Sequence, residues 1–158
     1  MRLRGSLREP LRFWRSDFGT KYPDGMWILD ILAEIYLKQG RLVDVVQLAA
    51  WTQKVREEVF GLEHPDVALS LNLLAAANVA KGELSDAETQ VQRALLINKK
   101  VYGSDHPAVA DNLQTLAEVH RERGLIAEAE PIYKEVLATY QRILGTETVD
   151  VAKCLAVC

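Results

Sequence analysis

Two histidines are the side chains whose type and spacing come closest to a chemical site. His64 and His106 lie 42 positions apart, and each directly precedes a proline. Imidazoles bind zinc and related metals, but such a site needs at least three protein ligands, and this spacing supplies no third one. The alternative role for each imidazole is to cap or pack against the start of a helix. We expect that second role, and the sequence predicts no metal site.

The two cysteines also lack the pattern of a site. Cys154 and Cys158 stand close together near the end of the sequence. One pair at this spacing is neither a disulfide framework nor the four-ligand set of a structural zinc site. We expect both to pack in a last helix as small hydrophobic side chains.

Catalytic motifs are absent from the sequence. No cysteine, serine or carboxylate falls in a recognisable catalytic pattern, and no glycine loop of the kind that cradles phosphate occurs. Paired carboxylates such as Glu128 and Glu130 are expected to lie on the solvated face of a helix. The sequence therefore predicts a protein that is not an enzyme and that carries no cofactor.

Composition and charge exclude several classes of partner. The 158 residues are 49% apolar and 26% charged, with a net charge of −3. So small a net charge gives no field that favours nucleic acid or an anionic membrane. No apolar run reaches the roughly 18–20 residues of a membrane span. We therefore expect protein or peptide partners, and neither nucleic acid nor membrane.

The arginine-rich N-terminus allows two interpretations. Residues 1–21 contain six basic and two acidic side chains, and arginine-rich segments occur in organellar transit peptides. Acidic residues and Pro10 argue against targeting. We favour the alternative that residues 1–18 are a degenerate helix, the remnant of an earlier repeat. Because sparing use of cysteine fits a reducing compartment, we expect a cytoplasmic protein.

A repeat of 42 residues organises the chain. Two lines of glycines follow this spacing, and a line of prolines follows it as well. Periods of this length are typical of stacked helical repeats, in which each unit buries its apolar side only against its neighbours. The members of these lines are Gly19, Gly61, Gly103 and Gly145; Gly40, Gly82 and Gly124; and Pro23, Pro65 and Pro107.

Each repeat is predicted to be a pair of antiparallel helices. Apolar residues recur at three- and four-residue steps, the proline falls in the first helical turn, and the middle glycine follows the first helix. The fold class is all-α, a right-handed α-solenoid. First helices are predicted near 24–39, 66–81 and 108–123, and second helices near 42–60, 84–102 and 126–144. The repeat domain is predicted over 19–158, with units of about 23–64, 65–106 and 107–148 and a partial unit at 149–158.

Small residues are expected where the two helices of a unit cross. Ala75 is predicted to face Ala87, and Ala117 to face Ala129, because a close crossing leaves no room for larger side chains. An isolated helix of about 16 residues is only marginally stable in water. Stacking of neighbouring units must therefore supply most of the stability.

The junctions between units resemble a known repeat. The segments "VFGLEHPDVALSLNLLA" and "VYGSDHPAVADNLQTLA" are similar to the tetratricopeptide repeat of kinesin light chains and nephrocystin-type proteins, which runs approximately G-x-x-H-P-D-V-A-x-S-L-N-N-L-A. The resemblance covers about residues 19–158. It implies a stack of helix pairs. Repeats of this kind occur in motor adaptors, ciliary proteins and the sensor arrays of large signalling NTPases.

The resemblance also implies a binding groove. In that family the first helices line a concave groove that receives an extended peptide, and asparagine amides there bond the ligand backbone. Of the asparagine pairs only Asn72 is kept here, while Gln114 and Asp30 stand at its equivalent positions. The implied groove residues are Asp30, Ile31, Glu34, Asn72, Leu73, Ala76, Gln114, Thr115 and Glu118.

The charge of these helices sets an expectation for the ligand. Kinesin light chains take acidic, tryptophan-bearing peptides, which calls for basic side chains. On the first helices of this sequence, acidic residues outnumber the basic residues Lys38 and Arg121. We therefore expect a neutral or basic ligand, and the same acidic residues argue against a clamp for a chaperone's C-terminal carboxylate.

Two tryptophans have open roles. Trp51 stands where the other units have Arg93 and Glu135. It is either an exposed contact on the outer face or a residue whose packing has shifted, with residues 1–18 covering it. Trp27 either packs in the core or stacks on a ligand side chain, and we favour the core.

Two functions of different class fit the sequence. The first is a non-catalytic adaptor that binds an extended peptide segment of a partner in the groove. The second is a structural or self-associating segment of a longer repeat protein, such as a motor adaptor or a signalling NTPase sensor array. Apolar residues such as Leu155 near the C-terminus favour the second, because terminal repeats usually present a polar outer face.

Overall fold

The computed structural model describes residues 23–145, which form a short 3-10 helix and six α-helices. No strand occurs in these residues, and the predicted all-α class is confirmed. The predictions for residues 1–18 and 149–158 lie outside the described residues. The 3-10 helix is Pro23–Met26, and the α-helices are α1 (Trp27–Lys38), α2 (Leu42–Phe60), α3 (Pro65–Lys81), α4 (Leu84–Tyr102), α5 (Pro107–Glu122) and α6 (Ile126–Leu144).

Histidine caps define the starts of α3 and α5. The Nδ1 atom of His64 accepts a hydrogen bond from the backbone N–H of Asp66, and Nδ1 of His106 accepts one from Ala108, each at 3.1 Å. Each imidazole also stacks on an aromatic ring at the end of the preceding helix, Phe60 for His64 and Tyr102 for His106. The expected capping and packing role of the two histidines is confirmed.

The first helix departs from its predicted bounds. A helix was expected from residue 24, but Pro23–Met26 is a 3-10 helix and α1 begins at Trp27. Met26 supplies no side-chain hydrogen bond to the first free N–H groups of α1. Without a cap, the start of a helix is less sharply defined, and a tighter turn is common there.

Glycine at the middle turn is required by the backbone. Gly82 has φ +84° and ψ 7°, the left-handed region, and its N–H bonds the carbonyl of Val79. A Cβ atom added there would meet nothing within 4 Å. The requirement is therefore for the backbone conformation rather than for space.

The helix pairs stack in order along the chain. We call α1–α2 the first unit, α3–α4 the second and α5–α6 the third. Consecutive helices pack together, and α3 also contacts both α1 and α5. The core lies between units as well as within them: Leu48 of the first unit packs in one cluster with Leu74 of the second. This is the predicted α-solenoid.

Small residues mark the crossing within the second unit. Ala75 and Ala87 are both fully buried and belong to one cluster with Val91 and Val119. Ala75 and Ala87 thus lie in the same buried cluster, as their predicted facing requires. None of the helices described between residues 23 and 145 is long and apolar enough to span a bilayer.

Candidate functional site

The first helices of the three units form one face of the molecule. Helix α3 adjoins both α1 and α5, and residues 42 positions apart occupy equivalent places on the three helices. We call the surface of these three helices the first-helix face. The residues predicted to line a groove all lie on these helices, but the structure separates them into accessible and buried sets.

Asp30 is not accessible on this face. It is 6% exposed, and its carboxylate accepts two hydrogen bonds from the guanidinium of Arg56 on α2. In this structure Asp30 is therefore bound to Arg56 rather than presented on the surface, and its contact with a ligand stays a prediction. Its equivalents turn progressively outward, since Asn72 is half-buried and Gln114 is exposed.

Two further residues that were predicted to line the groove are also buried. Leu73 and Thr115 are each 6% exposed. Leu73 packs in the cluster shared with the first unit, and the hydroxyl of Thr115 donates to the carbonyl of Asp111. Ile31, their equivalent on α1, is 47% exposed because no unit precedes α1 within the described residues. Leu73 and Thr115 therefore face neighbouring helices rather than solvent, and their place in a groove stays a prediction.

The remaining predicted residues do reach the surface. Glu34 is exposed and Ala76 is half-buried. Gln114 and Glu118 lie one turn apart on α5, and the Gln114 amide donates to the Glu118 carboxylate across 3.5 Å. Together with Asn72, these side chains form the accessible part of the predicted groove.

Sequence reasoning missed one register of this face. Trp27 and Leu69 are 59% and 42% exposed, and Asp111 at the equivalent place on α5 is exposed too. The core packing expected for Trp27 does not occur among the described residues. These three residues stand one helical turn before Asp30, Asn72 and Gln114, so the same 42-residue spacing carried the signal.

A buried ion pair closes the junction between the first and second units. We call the group Asp30, Thr52, Arg56 and Ser70 the first junction. Arg56 donates to both carboxylate oxygens of Asp30, at 2.9 and 2.5 Å, and to the hydroxyl of Ser70 at 2.8 Å. Ser70 in turn lies 2.9 Å from the Thr52 hydroxyl. Burial raises the pKa of the Asp30 carboxyl, against the opposing effect of Arg56.

Neutral amides and an open cavity occupy the junction between the second and third units. We call Asn72, Asn98 and Asn112 the second junction. The Asn98 amide donates to Asn112 Oδ1 at 2.6 Å. All three asparagines line a cavity of about 160 Å³. The buried Oδ1 atoms of Asn72 and Asn98 find no hydrogen-bond donor among the residues that the structure describes.

An acidic residue at the edge of this cavity is tied to the third unit. The hydroxyl of Tyr140 on α6 donates to Oδ1 of Asp111 at 3.0 Å. Burial and the neighbouring carboxylate both raise the pKa of the Tyr140 phenol. The bond holds the Asp111 side chain at the rim of the cavity.

The outer face offers a larger cavity. A cavity of about 1100 Å³ lies between α2 and α4. Ion pairs cross it from Arg93 to Glu57 at 2.8 Å and from Lys100 to Glu63 at 2.6 Å. Because these cations already have carboxylate partners, the cavity supplies little unmatched polarity for a ligand. Trp51, for which an outer contact and a shifted packing were both open, is half-buried and packs against the core of the first unit.

Comparison with known families agrees with the repeat architecture. Residues 66–142 match the tetratricopeptide repeat family model. Residues 66–142 therefore carry tetratricopeptide repeats. This family's fold serves protein interaction and is not a catalytic one. A search of curated proteins finds no match.

Two solved structures have similar folds. One is a candidate kinesin light chain from Podosopora anserina with nearly identical tetratricopeptide-like repeats, at 24% identity and a TM-score of 0.70, covering 82% of this chain and 62% of that one. The other is BtubC (BKLC) from P. vanneervenii, at 23% identity and a TM-score of 0.69, covering 94% of this chain and 58% of that one. This chain thus spans about three fifths of either structure. At these identities the likeness concerns the fold alone.

Proposed function

We propose that this tetratricopeptide repeat protein is a non-catalytic adaptor that binds an extended segment of a partner protein along the first-helix face. The observation that carries the proposal is the half-buried Asn72, whose buried Oδ1 has no donor among the described residues. A buried acceptor without a donor costs roughly 1–3 kcal/mol. A ligand N–H at this point removes that cost.

The neighbouring side chains suit an extended backbone. An amide offers both donors and an acceptor, so Asn72 and Gln114 can pair with a peptide group in either orientation. The bond from Gln114 to Glu118 is long, at 3.5 Å, and a ligand carbonyl replaces it readily. Leu69 and Ala76 supply apolar contact on either side of Asn72 along α3.

The electrostatics of the third unit favour a neutral or basic segment. Asp111, Glu118 and Glu122 lie on α5, and the first two face the same surface as Gln114. Like-charge approach of an acidic peptide to these carboxylates is unfavourable. The ligand is therefore not expected to carry the net negative charge of the acidic peptides that kinesin light chains take.

Peptide display tests the proposal. A random peptide library is selected on the wild-type protein and on the double variant Asn72→Ala with Gln114→Ala. The matched control is Gln47→Ala with Gln92→Ala, which removes two exposed amides from the second helices. We expect the control to select the wild-type peptides and the groove variant to lose them. Identical selections from wild type and the groove variant contradict the proposal.

A second function is favoured by apolar surface at both ends of the described stack. Ile28, Ile31 and Ile35 on α1 are 50%, 47% and 45% exposed. Their equivalents on α3 are Ser70, Leu73 and Ala77, which are all buried. At the other end, Ile126 and Leu137 of α6 line a cavity of about 470 Å³. We propose as the alternative that these faces pack on further repeats, so that the chain is a structural or self-associating segment.

Molar mass separates the two functions. Light scattering behind a size-exclusion column is measured from low to high micromolar concentration. A constant monomer mass supports the adaptor. Mass that rises with concentration, and that falls to the monomer value in an Ile31→Glu variant, supports the self-associating segment.

A further inference from the structure

Three positions of the repeat carry different chemistry in the two junctions. Each residue of the second junction stands 42 positions after a residue of the first, so the helices present them at equivalent places. The equivalent pairs are Asp30 and Asn72, Arg56 and Asn98, and Ser70 and Asn112.

The first junction shows what fits at this place in the repeat. The guanidinium of Arg56 lies between the Asp30 carboxylate of one first helix and the Ser70 hydroxyl of the next, within 2.5–2.9 Å of both. The side chain of Arg56 is 3% exposed. A planar cation is therefore accommodated between two units, fully enclosed, with acceptors on both sides.

The second junction keeps the acceptors and lacks the cation. Asn98 replaces the arginine, and its shorter side chain is accompanied by a cavity of about 160 Å³. Asn98 is 4% exposed, and its Oδ1 has no donor among the described residues; the same is true of Asn72 Oδ1. Two buried unmatched acceptors at one small cavity are unusual in a folded protein, because nearly all such groups are hydrogen-bonded.

The rim of the cavity adds negative charge. Asp66 and Asp111 are among its lining residues, and that lining contains no lysine or arginine. Water can satisfy isolated acceptors, but it carries no positive charge to balance the two carboxylates. A guanidinium gains from both, because its fork of N–H donors bonds neutral acceptors while its charge is stabilised by the carboxylates. Leu69 and Tyr102 line the same cavity and offer apolar surface to an aliphatic stem.

We infer that the cavity of the second junction is a pocket for an arginine side chain of the bound peptide. The ligand guanidinium occupies the place that Arg56 fills from within the chain at the first junction. It donates to Oδ1 of Asn72 and Asn98 and lies near the carboxylates of Asp66 and Asp111. The inference rests on the proposed peptide binding along the first-helix face and assigns that peptide a basic anchor residue.

The experiment uses peptides that differ only at the anchor. Acetylated and amidated Ala-Ala-Xaa-Ala-Ala peptides carry arginine, citrulline or norleucine at Xaa. Binding to the full ¹⁵N-labelled chain is followed by NMR at the side-chain amides of Asn72 and Asn98. We expect the arginine peptide to shift these signals saturably. Citrulline, which keeps the shape and loses the charge, should bind roughly 10- to 100-fold more weakly. Equal binding of the citrulline peptide overturns the inference.

A junction swap provides the matched variant. Asn72→Asp with Asn98→Arg copies the ion pair of the first junction into the second and fills the pocket from within. The control, Gln47→Asp with Gln92→Arg, makes the same charge changes at exposed positions of α2 and α4. We expect the swap to abolish the response to the arginine peptide and the control to keep it. A swap variant that binds like wild type overturns the inference.

Failure of the pocket is distinguishable from failure of the groove. If the swap does not fold, as judged by circular dichroism, Asn98→Leu replaces it, with an expected loss of tenfold or more in affinity for the arginine peptide. Peptides that are selected by the wild type, lack arginine and lose binding in the Asn72→Ala and Gln114→Ala variant show that the groove is right and the arginine pocket wrong. If the groove variant and the junction swap both select the same peptides as the wild type, the groove and the arginine pocket are both wrong.

Discussion

The first junction and the second junction place different chemistry in equivalent positions. In the first, Arg56 donates hydrogen bonds to both Asp30 and Ser70, and the side chains of the ion pair are enclosed. In the second, Asn98 donates to Asn112, while two amide oxygens beside a cavity have no donor within residues 23–145. The same helix geometry therefore supports either a closed or an open contact between units.

The difference separates a contact suited to stability from one suited to binding. Loss of one partner of a buried ion pair leaves an uncompensated charge, so the first junction tolerates little change. Neutral amides are less costly to disturb, since the loss of one leaves no uncompensated charge behind. We therefore expect substitutions in the first junction to change stability, and substitutions in the second to change ligand binding.

The largest expected effect is that of Arg56→Met. It leaves the Asp30 carboxylate buried without a cation, and the free energy of unfolding should fall by about 3–5 kcal/mol. Urea unfolding measures the change. The matched control is Arg93→Met, which breaks the partly exposed pair with Glu57 and should cost no more than about 1 kcal/mol. Equal losses in the two variants contradict the distinction between the junctions.

The same variant gives a dependence on pH. Burial raises the pKa of Asp30 above its ordinary value of 3.8, and removal of the Arg56 cation raises it further. The folded state then holds the proton more tightly than the unfolded chain, so stability falls as pH rises through this window. The deficit of Arg56→Met relative to wild type should grow from pH 4 towards neutrality. A deficit that shrinks with rising pH contradicts the burial of Asp30.

A smaller effect is expected from overpacking a helix crossing outside both junctions. Ala117 is fully buried, and its predicted partner Ala129 is 2% exposed. Ala117→Leu should lower the free energy of unfolding by roughly 1–3 kcal/mol, because the extra methylenes force the helices apart. The half-buried Ala76 on the first-helix face provides the control, Ala76→Leu, which should cost less. An unchanged urea midpoint for Ala117→Leu counts against the close crossing.

Asn98→Ala sharpens the comparison at the second junction. It removes the bond to Asn112, and a neutral hydrogen bond contributes about 1 kcal/mol. Because Asn112 lines the cavity, water can replace the lost donor. The variant should unfold at a urea concentration only slightly below that of wild type, and clearly above that of Arg56→Met. A loss of unfolding free energy as large as that of Arg56→Met contradicts the expected difference between the two junctions.

The smallest effect is expected on the outer face. The hydrogen bond from Lys100 lowers the pKa of the exposed Glu63 below its ordinary value of 4.5. The ion pair of Glu63 with Lys100 therefore stabilises the fold at pH values above 4.5. This contribution is lost as the pH falls through the lowered pKa of Glu63. Glu63→Gln should lower the urea midpoint slightly at neutral pH and remove its small dependence on acid. In 1 M salt the midpoints of the variant and the wild type should be nearly equal. A salt-independent effect contradicts a surface ion pair.

The fold was predictable because one period governs it. The bounds of α2, α4 and α6 coincide with those predicted from the apolar spacing and the two glycine lines. The caps at His64 and His106 follow from their position before a proline. These are local signals, and each is repeated along the chain. The exception is α1, where no histidine precedes the proline and a 3-10 helix takes the place of the first turn.

The accessible groove was only partly predictable because burial depends on distant residues. Asp30 turns inward to Arg56, which lies 26 positions away in the sequence. Leu73 is covered by the first unit, while its equivalent Ile31 is not covered within residues 23–145. Helical spacing identifies which residues share a register. It does not identify which register the neighbouring unit covers.

The turn glycines have a consequence for synthetic forms of the chain. Six of the seven glycines in residues 23–145, all except Gly25, have a positive φ, and a Cβ added to them with L chirality would be strained even though it meets nothing within 4 Å. A D-amino acid prefers that half of backbone space, and its Cβ restricts the unfolded chain as alanine does relative to glycine. D-alanine at Gly82 should therefore raise the melting temperature of a chemically assembled protein, and L-alanine at the same place should lower it.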